Sequence, residues 1–247
     1  FFKATQSQVS KMMASQYKHL LVIGGSGNLG KAVVRAFNPT WKVTNIAHND
    51  NEESHNNIIL NPKIQLSTQV PGVLEQIEKI TKSYEAIICV AGGWTGGSIK
   101  DKDIFDKFEL MTNQSVYSSL LAGHLATKYL TNTGLLVFTG AASVFKDPTP
   151  SMLAYGLAKS GVHTLALNLA KREELNIDST VVTILPETID TPENREGMPN
   201  ADFSKWAPPE KIADLLKMWA DGKNRPINGS YALLKVANGS VVPEFLQ

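Results

Sequence analysis

Residues 19–37 read HLLVIGGSGNLGKAVVRAF, and this stretch decides the fold. An apolar, β-rich run at 19–23 leads directly into a glycine-rich turn, and apolar residues then recur at helical spacing as far as Phe37. Glycines permit a tight turn and let backbone N–H groups approach a pyrophosphate at a helix N-terminus. A strand before the turn and a helix after it are the setting that this motif requires. The sequence therefore predicts a dinucleotide site formed by Gly24, Gly25, Ser26, Gly27, Asn28, Leu29 and Gly30.

The rest of the chain repeats this alternation of strand and helix. Five further apolar runs rich in β-forming residues lie at 42–47, 86–90, 135–139, 180–185 and 231–237. Helical patterns lie at 29–37, 73–83, 105–130, 155–175 and 209–220. The alternation predicts an α/β protein of the Rossmann type, with a doubly wound parallel sheet and helices on both faces. No Gly-, Ser- or Pro-rich linker divides the chain, so we predict a flexible N-terminal extension at 1–17 and one catalytic domain at 18–247.

The composition argues against several classes of protein. The formal net charge is +1, and the Lys and Arg residues are spread out rather than clustered, which argues against a nucleic-acid surface. No apolar run is long enough to cross a bilayer, so we expect no membrane partner. The five histidines lie far apart without Cys or carboxylate partners at ligand spacing, so we predict no metal site. The single cysteine, Cys89, lies in an apolar run, which predicts a buried thiol and a reducing, cytoplasmic location.

A second motif follows the run at 135–139. Tyr155 and Lys159 are four residues apart at the start of a helical pattern, so their side chains share one face of the helix. An ammonium beside a phenol stabilises the phenolate, so we expect Lys159 to lower the pKa of Tyr155 toward the working pH. The spacing alone is not specific, because Tyr231 and Lys235 match it within a predicted strand. The position of Tyr155 downstream of the glycine turn favours it as the chemical centre.

Taken in chain order, these motifs resemble those of the short-chain dehydrogenase/reductase family over residues 18–240. The resemblance also rests on the turn after the run at 86–90 and on the segment after the run at 180–185. It implies an oxidoreductase that binds a nicotinamide dinucleotide, with Tyr155 and Lys159 as catalytic residues. It further implies two sets of cofactor contacts. The adenosine side is lined by Ala91, Gly92 and Gly93, and the nicotinamide carboxamide is met by Pro186, by the backbone near Ile189 and by the hydroxyl of Thr188 or Thr191.

Two positions depart from the pattern of this family. Most members carry a catalytic serine thirteen residues before the tyrosine, and that position is Ala142 here. A shift of one residue in the alignment brings Ser143 to the place of the serine, and this alternative stays open. The asparagine that relays protons in the family corresponds to Gln114. A shift of one residue in the alignment would instead match it to Asn113.

The choice of cofactor depends on the end of the second predicted strand. A site for NAD usually has an acidic residue there that holds the ribose hydroxyls, but this strand ends at Ala47. Asp50 is a displaced substitute for that acid, and no Arg in the segment is available to bind a 2′-phosphate. We therefore predict NADH as the cofactor, with NADPH as the alternative.

Three longer strings resemble one branch of the family, the quinoid dihydropteridine reductases. They are VAGGWTGG at 90–97, MPNADFSKW at 198–206 and GKNRP at 222–226. The resemblance implies reduction of a quinonoid dihydropteridine to the tetrahydropteridine, with hydride from the nicotinamide and a proton from Tyr155. Ala142 would then lie beside the substrate, and Trp94 would either stack on the pterin or serve as a hydrophobic lid.

Two other functions compete with this interpretation. One is a general short-chain carbonyl or quinone reductase that uses NADPH, and the other is a non-catalytic protein that senses NAD(P). Intact Tyr155 and Lys159 argue against the second. The helices at 105–130 and 155–175 resemble those that form a four-helix interface in the family, so we expect a homodimer.

Overall fold

The computed structural model describes residues 17–171, 173–175, 178–237 and 239–246. Of the predicted N-terminal extension, only Tyr17 lies within these residues, so the extension stays a prediction. Within the described ranges, no helix is both long enough and apolar enough to span a bilayer.

Eight strands form one sheet. In chain order they are β1 (Lys18–Ile23), β2 (Trp41–Ala47), β3 (Asn56–Ile59), β4 (Tyr84–Cys89), β5 (Leu130–Thr139), β6 (Thr180–Pro186), β7 (Ser230–Ala237) and β8 (Ser240–Leu246). Their spatial order is β3-β2-β1-β4-β5-β6-β7-β8, and every neighbouring pair is parallel except β7 and β8. The predicted doubly wound Rossmann-type sheet is confirmed.

The helices connect these strands. They are α1 (Asn28–Phe37), α2 (Leu66–Ile80), α3 (Ile104–Met111), α4 (Ser118–Tyr129), α5 (Ala142–Lys146), α6 (Leu153–Leu169), α7 (Pro192–Gly197) and α8 (Pro209–Ala220). A π-helix at Thr112–Tyr117 joins α3 to α4, and a 3₁₀ turn at Phe203–Lys205 precedes α8. The predicted single helix at 105–130 is therefore interrupted by a wider turn, and such turns are frequent at functional sites.

Both faces of the sheet are buried, as the apolar strands require. On β1, Leu20 and Val22 pack in a core with α1 and α8, whereas Leu21 and Ile23 pack in a second core with α2, α4 and α6. This alternation follows from the strand period of two residues. The predicted buried thiol is also confirmed, because Cys89 is 1% exposed and burial raises its pKa.

Two strands escaped the sequence analysis. The short β3 carries two asparagines, and β8 contains Pro243 in register with Leu234 of β7. Asparagine and proline are depleted in strands, so neither segment shows a strand pattern. A proline is tolerated in β8 because β8 lies at the edge of the sheet.

The strand order reverses between β1 and β4, and this places the two predicted cofactor turns side by side. The N–H groups of Val90 and Ala91, after β4, both donate to the carbonyl of Ile23 at the end of β1, at 3.0 Å. In open parallel sheets, ligands bind in the crevice beyond the carboxyl ends of the strands at such a reversal. The fold therefore brings the predicted site residues to the edge where a dinucleotide would bind.

Candidate active site

The glycine turn is so tight that three of its glycines are required. Gly24 has φ +88°, and a Cβ on it would lie 2.7 Å from the Cα of Ala91. A Cβ on Gly25 would lie 2.5 Å from Oδ1 of Asn45, and one on Gly30 would lie 2.0 Å from the carbonyl oxygen of Gly24. A real Cβ does not approach other atoms this closely, so a side chain at any of these positions would displace the turn.

The same turn fits the pyrophosphate of a dinucleotide. Helix α1 begins at Asn28 after the N-cap Gly27, and no side chain caps its first turn. Its N–H groups and the positive end of its dipole are therefore available to an anion. A Cβ on Gly27 would meet the carbonyl oxygen of Gly24 at an ordinary contact distance of 3.5 Å, so this position, unlike Gly24, Gly25 and Gly30, is not closed by a neighbouring atom. The turn and the uncapped helix thus suit a phosphate group.

The end of β2 carries no acid. Ala47 is 6% exposed, and its carbonyl accepts the N–H of Leu60 at 2.8 Å. Nδ1 of His48 lies 3.2 Å from the carbonyl oxygen of Leu60, which fixes the imidazole beside the strand end. Asp50, the displaced substitute, is exposed to solvent. The assignment of Ala47 to the position of the acid and its effect on cofactor choice both stay predictions.

Tyr155 and Lys159 lie on the first turns of α6, where three motifs converge. Lys159 is 4% exposed, and its Nζ donates to the carbonyl oxygen of Thr139, at the end of β5, at 2.8 Å. The same Nζ lies 5.9 Å from the ring centroid of Tyr155 and 3.2 Å from where a Cβ on Gly92 would stand. The lysine therefore connects the turn after β4, the end of β5 and the tyrosine.

The expected lowering of the pKa of Tyr155 is not found. Burial raises the pKa of Tyr155 to about 12 and lowers the pKa of Lys159 to about 8. The reason is that Lys159 points its ammonium at the carbonyl of Thr139, while the partly buried phenol loses solvation of its charged form. At neutral pH the tyrosine thus keeps its proton and the lysine is mostly charged.

His163 lies one helical turn beyond Lys159 and stays neutral. Burial, and secondarily the charge of Lys159, lower the pKa of His163 to about 4. Its Nε2 accepts the N–H of Ala141 at 3.2 Å, and its backbone carbonyl accepts the hydroxyl of Tyr231 at 3.3 Å. A Cβ on Gly140 would lie 2.3 Å from Nε2, so the glycine makes room for the imidazole. The histidine thereby supports the chain segment that follows Thr139.

The loop with Trp94 is tied to the start of α6. The N–H of Gly97 donates to the carbonyl of Ser151 at 2.7 Å, and the N–H of Leu153 donates to the carbonyl of Gly97 at 3.0 Å. Trp94 itself is 66% exposed. Its indole is therefore available to a flat ligand, and the choice between stacking and a hydrophobic lid stays open.

The segment after β6 crosses toward the glycine turn. The carbonyl of Thr188 accepts the N–H of Ala207 at 2.9 Å, and the carbonyl of Ile189 accepts Nδ2 of Asn194 at 2.8 Å. These bonds hold the segment that begins at Pro186, the last residue of β6. Thr191 caps α7 with its hydroxyl oxygen. Nδ2 of Asn28, in the glycine turn, donates to Oε2 of Glu193 on α7 at 2.5 Å, so the segment adjoins the cofactor turn directly.

With this geometry established, comparison with known proteins identifies the family. A family model described as short chain dehydrogenase matches residues 18–201. The chain belongs to the short chain dehydrogenase family. A dihydropteridine reductase from Dictyostelium discoideum is 33% identical to it over 216 residues, which cover 86% of this chain and 92% of that protein.

Solved structures of short chain dehydrogenases share the fold. A family member from Francisella tularensis has a TM-score of 0.73 at 25% identity, with 88% of this chain and 96% of that chain covered. A short chain dehydrogenase from Burkholderia cenocepacia, solved in complex with NADP, has a TM-score of 0.72 at 18% identity, with 90% and 97% covered.

In this short chain dehydrogenase the π-helix carries the predicted relay residue. A Cβ on Gly93 would lie 1.8 Å from Oε1 of Gln114, so the amide lies against the turn after β4. Asn113 is exposed to solvent. Ser115 is fully buried, and its hydroxyl is one of the few buried side-chain groups in the described part of the chain without a hydrogen-bond partner. The geometry favours Gln114 over Asn113 as the residue that faces the turn after β4.

The position of the missing serine is apolar in this dehydrogenase. Ala142 is 2% exposed and belongs to a cluster with Leu185, Tyr231 and Leu233. Its methyl group therefore packs against β6 and β7, and a hydroxyl on it would lie among these side chains. Ser143 is partly buried on the short helix α5. The assignment of Ala142 to the substrate pocket stays a prediction, and this packing does not favour it.

Proposed function

We propose that this dehydrogenase reduces a quinonoid dihydropteridine to the tetrahydropteridine with NADH, and so takes part in tetrahydrobiopterin recycling. The observation that carries the proposal is the 33% identity to the Dictyostelium dihydropteridine reductase, which extends over 92% of that protein. General family members cover a similar share of this chain but at lower identity, since the Francisella protein covers 88% of it at 25% identity. The level of identity to a dihydropteridine reductase, rather than the length of the match, therefore supports this substrate class.

In this reaction the bound nicotinamide supplies a hydride, and the chain supplies the accompanying proton. Tyr155 donates that proton, because its pKa of about 12 keeps the hydroxyl protonated at neutral pH. The ammonium of Lys159 then stabilises the phenolate that remains. Thr139 holds the ammonium in place through its carbonyl, at 2.8 Å from Nζ.

The substrate class explains why the serine is dispensable. A ketone develops negative charge on one oxygen during reduction, and a serine hydroxyl would stabilise that oxygen. A quinonoid ring spreads the developing charge over nitrogen and oxygen atoms, so one hydroxyl contributes less. Trp94, exposed on its loop, offers a flat surface to the pterin.

Exposed apolar side chains support the proposed homodimer. Phe105 on α3 is 83% exposed, Leu120 on α4 is 51% exposed and Leu157 on α6 is 53% exposed. Large exposed apolar surface on neighbouring helices favours association with a second copy. A cytoplasmic location is likewise a proposal, supported by the lone buried thiol of Cys89.

The absence of an acid at Ala47 leads to a prediction about the cofactor. In the unsubstituted protein, NADH should outcompete NADPH only modestly. Ala47→Asp should widen the preference by about tenfold, because a carboxylate accepts the ribose hydroxyls and repels a 2′-phosphate. Steady-state kinetics with both cofactors measure this as the ratio of the two kcat/KM values.

Asn49→Asp is the matched control, since it adds the same charge two residues further along, at an exposed position. It should change the ratio less than Ala47→Asp. An unaltered ratio in Ala47→Asp would show that the end of β2 does not meet the ribose.

The rival function is a general carbonyl reductase in which Ser143 acts as the catalytic serine. It is favoured by the lack of an acid at Ala47, which leaves room for NADPH. We expect the protein to reduce quinonoid dihydropterin with NADH, and Ser143→Ala to keep that turnover within about threefold, because no oxyanion donor is lost. Assays of both proteins with quinonoid pterin and with an aromatic ketone separate the two functions.

Ala142→Ser completes this experiment. Its hydroxyl would be buried among Leu185, Tyr231 and Leu233, so we expect about 1–3 kcal/mol of lost stability and no new ketone activity. A large loss of turnover in Ser143→Ala, or ketone reduction in preference to pterin reduction, would favour the carbonyl reductase.

A further inference from the structure

The peptide groups of Gly25, in the middle of the cofactor turn, are held on both sides by asparagine side chains. Oδ1 of Asn45 accepts the N–H of Gly25 at 2.9 Å. Nδ2 of Asn51 donates to the carbonyl oxygen of Gly25 at 2.7 Å. Asn45 is fully buried on β2, and Asn51 is 6% exposed in the connection between β2 and β3. Buried amides of this kind are costly unless they are hydrogen-bonded, so their bonds to Gly25 define the position of the turn.

A third asparagine joins these two. Oδ1 of Asn57, on β3, accepts from Nδ2 of Asn45 and from the N–H of Asn51, each at 2.9 Å. The hydroxyl of Ser54 donates to the same Oδ1 at 2.9 Å, and Nδ2 of Asn57 donates to the carbonyl of Asn51 at 3.2 Å. The connection that follows Ala47 is thereby bonded to the glycine turn as one unit.

We propose that Asn45 and Asn51 are positioning residues that set the affinity of the glycine turn for the pyrophosphate of the cofactor. The orientation of the Gly25 peptides sets the path of the turn into α1, whose first turn has no side-chain cap and so offers N–H groups to an anion. The N–H of Gly27 is already used within the turn, because it donates to the carbonyl of Gly24 at 3.1 Å. Preorganised donors bind more tightly because they lose less freedom on binding. The inference rests on the proposed use of a dinucleotide.

Loss of these hydrogen bonds should affect NADH and NADPH equally. NADH and NADPH share the pyrophosphate and differ only at the 2′-position of the adenosine ribose. A network that acts on the pyrophosphate turn must therefore change both affinities by the same factor. A substitution at Ala47, by contrast, changes their ratio.

Asn51→Asp is the test, because Asp has the same shape as Asn and the substitution removes only the donor to the carbonyl of Gly25. The remaining carboxylate can still accept the N–H of Glu53, as Oδ1 of Asn51 does at 2.9 Å, but it offers no donor to Gly25. Asn51→Ala removes the donor without adding charge. We expect both variants to raise the Kd for NADH and for NADPH by about tenfold, with the ratio of the two Kd values unchanged within about twofold.

Binding is measured by fluorescence titration without pterin, so the outcome is independent of the substrate. Asn56→Asp is the matched control. It places the same charge next to Asn57 on β3, on a side chain that makes no hydrogen bond to the described part of the chain, and it should leave both Kd values within about twofold. Thermal unfolding of the ligand-free proteins identifies any variant that has lost its fold. If one of the two Asn51 variants does not fold, the other one alone serves as the test.

Three results would overturn the proposal. They are unchanged affinity in both Asn51 variants, a loss confined to one cofactor, and an equal loss in Asn56→Asp, which would reveal a simple effect of charge. A protein that binds neither dinucleotide before substitution would overturn the proposed function as well, whereas normal binding with a failed Asn51 result leaves that function intact.

Discussion

Replacing Tyr155 with Phe lowers kcat by about 10²- to 10⁴-fold, which is the usual contribution of a positioned general acid. The ammonium of Lys159 lies 5.9 Å from the ring centroid of Tyr155, so its charge stabilises the phenolate that proton donation leaves behind. The ring itself remains in Tyr155→Phe, so packing on α6 is preserved and the Kd for the cofactor should change little by comparison. Single-turnover kinetics with quinonoid dihydropterin measure the loss.

Tyr231→Phe is a stringent control for this result. Tyr231 also precedes a lysine by four residues, but it lies on β7 and its hydroxyl donates to the carbonyl of His163. Its removal should cost about 1 kcal/mol of stability through that hydrogen bond and leave kcat near its original value. Undiminished turnover in Tyr155→Phe would refute the assignment of the proton donor.

Activity falls as the pH rises through about 8, because Lys159 loses its charge there. Burial lowers the pKa of this ammonium to about 8, so the protonated form is present below that pH and disappears above it. The neutral amine no longer stabilises the phenolate that Tyr155 becomes after it donates its proton. We expect kcat to decline by about tenfold per pH unit above the pKa, since the charged fraction declines at that rate.

Lys159→Arg tests the cause of this decline. A guanidinium stays charged across the whole range, so the decline near pH 8 should disappear even if the overall rate is lower. Lys159→Met should be slow at every pH. A profile in Lys159→Arg that matches that of the original enzyme would assign the titration to another group.

The sequence analysis predicted the fold correctly, because buried parallel strands appear in a sequence as continuous apolar runs that alternate with helical patterns. It missed β3 and β8, whose Asn and Pro residues are poor strand formers that the edges of a sheet nevertheless accept. It also missed the π-helix, because a single wide turn shifts the apolar spacing by only about one residue, which is hard to distinguish from an uninterrupted helix. A local pattern shows which conformation a segment prefers by itself. In β3, β8 and the π-helix, the conformation is instead decided by the segments that pack against them.

The candidate site was likewise predicted only in part, because local patterns do not show which groups meet in space. The spacing of Tyr155 and Lys159 correctly put both on one helix, but it could not show that the ammonium points at Thr139 or how deeply the phenol is buried. Burial therefore reversed the expected direction of the pKa of Tyr155. For Asn45 a signal did exist. An amide in the middle of a strand that is otherwise buried requires a partner, and that partner is the cofactor turn.

The two ends of the sheet have a consequence for how copies of the chain can meet. A bare strand offers a row of N–H and C=O groups on which another chain can add, and natural sheets avoid this with short strands, prolines and charges at their margins. Here one margin is the four-residue β3, and the other is β8, where Pro243 lacks an N–H and the next residue, Glu244, forms an ion pair with Lys235. Addition of a strand from another molecule is therefore disfavoured at both margins of the folded sheet.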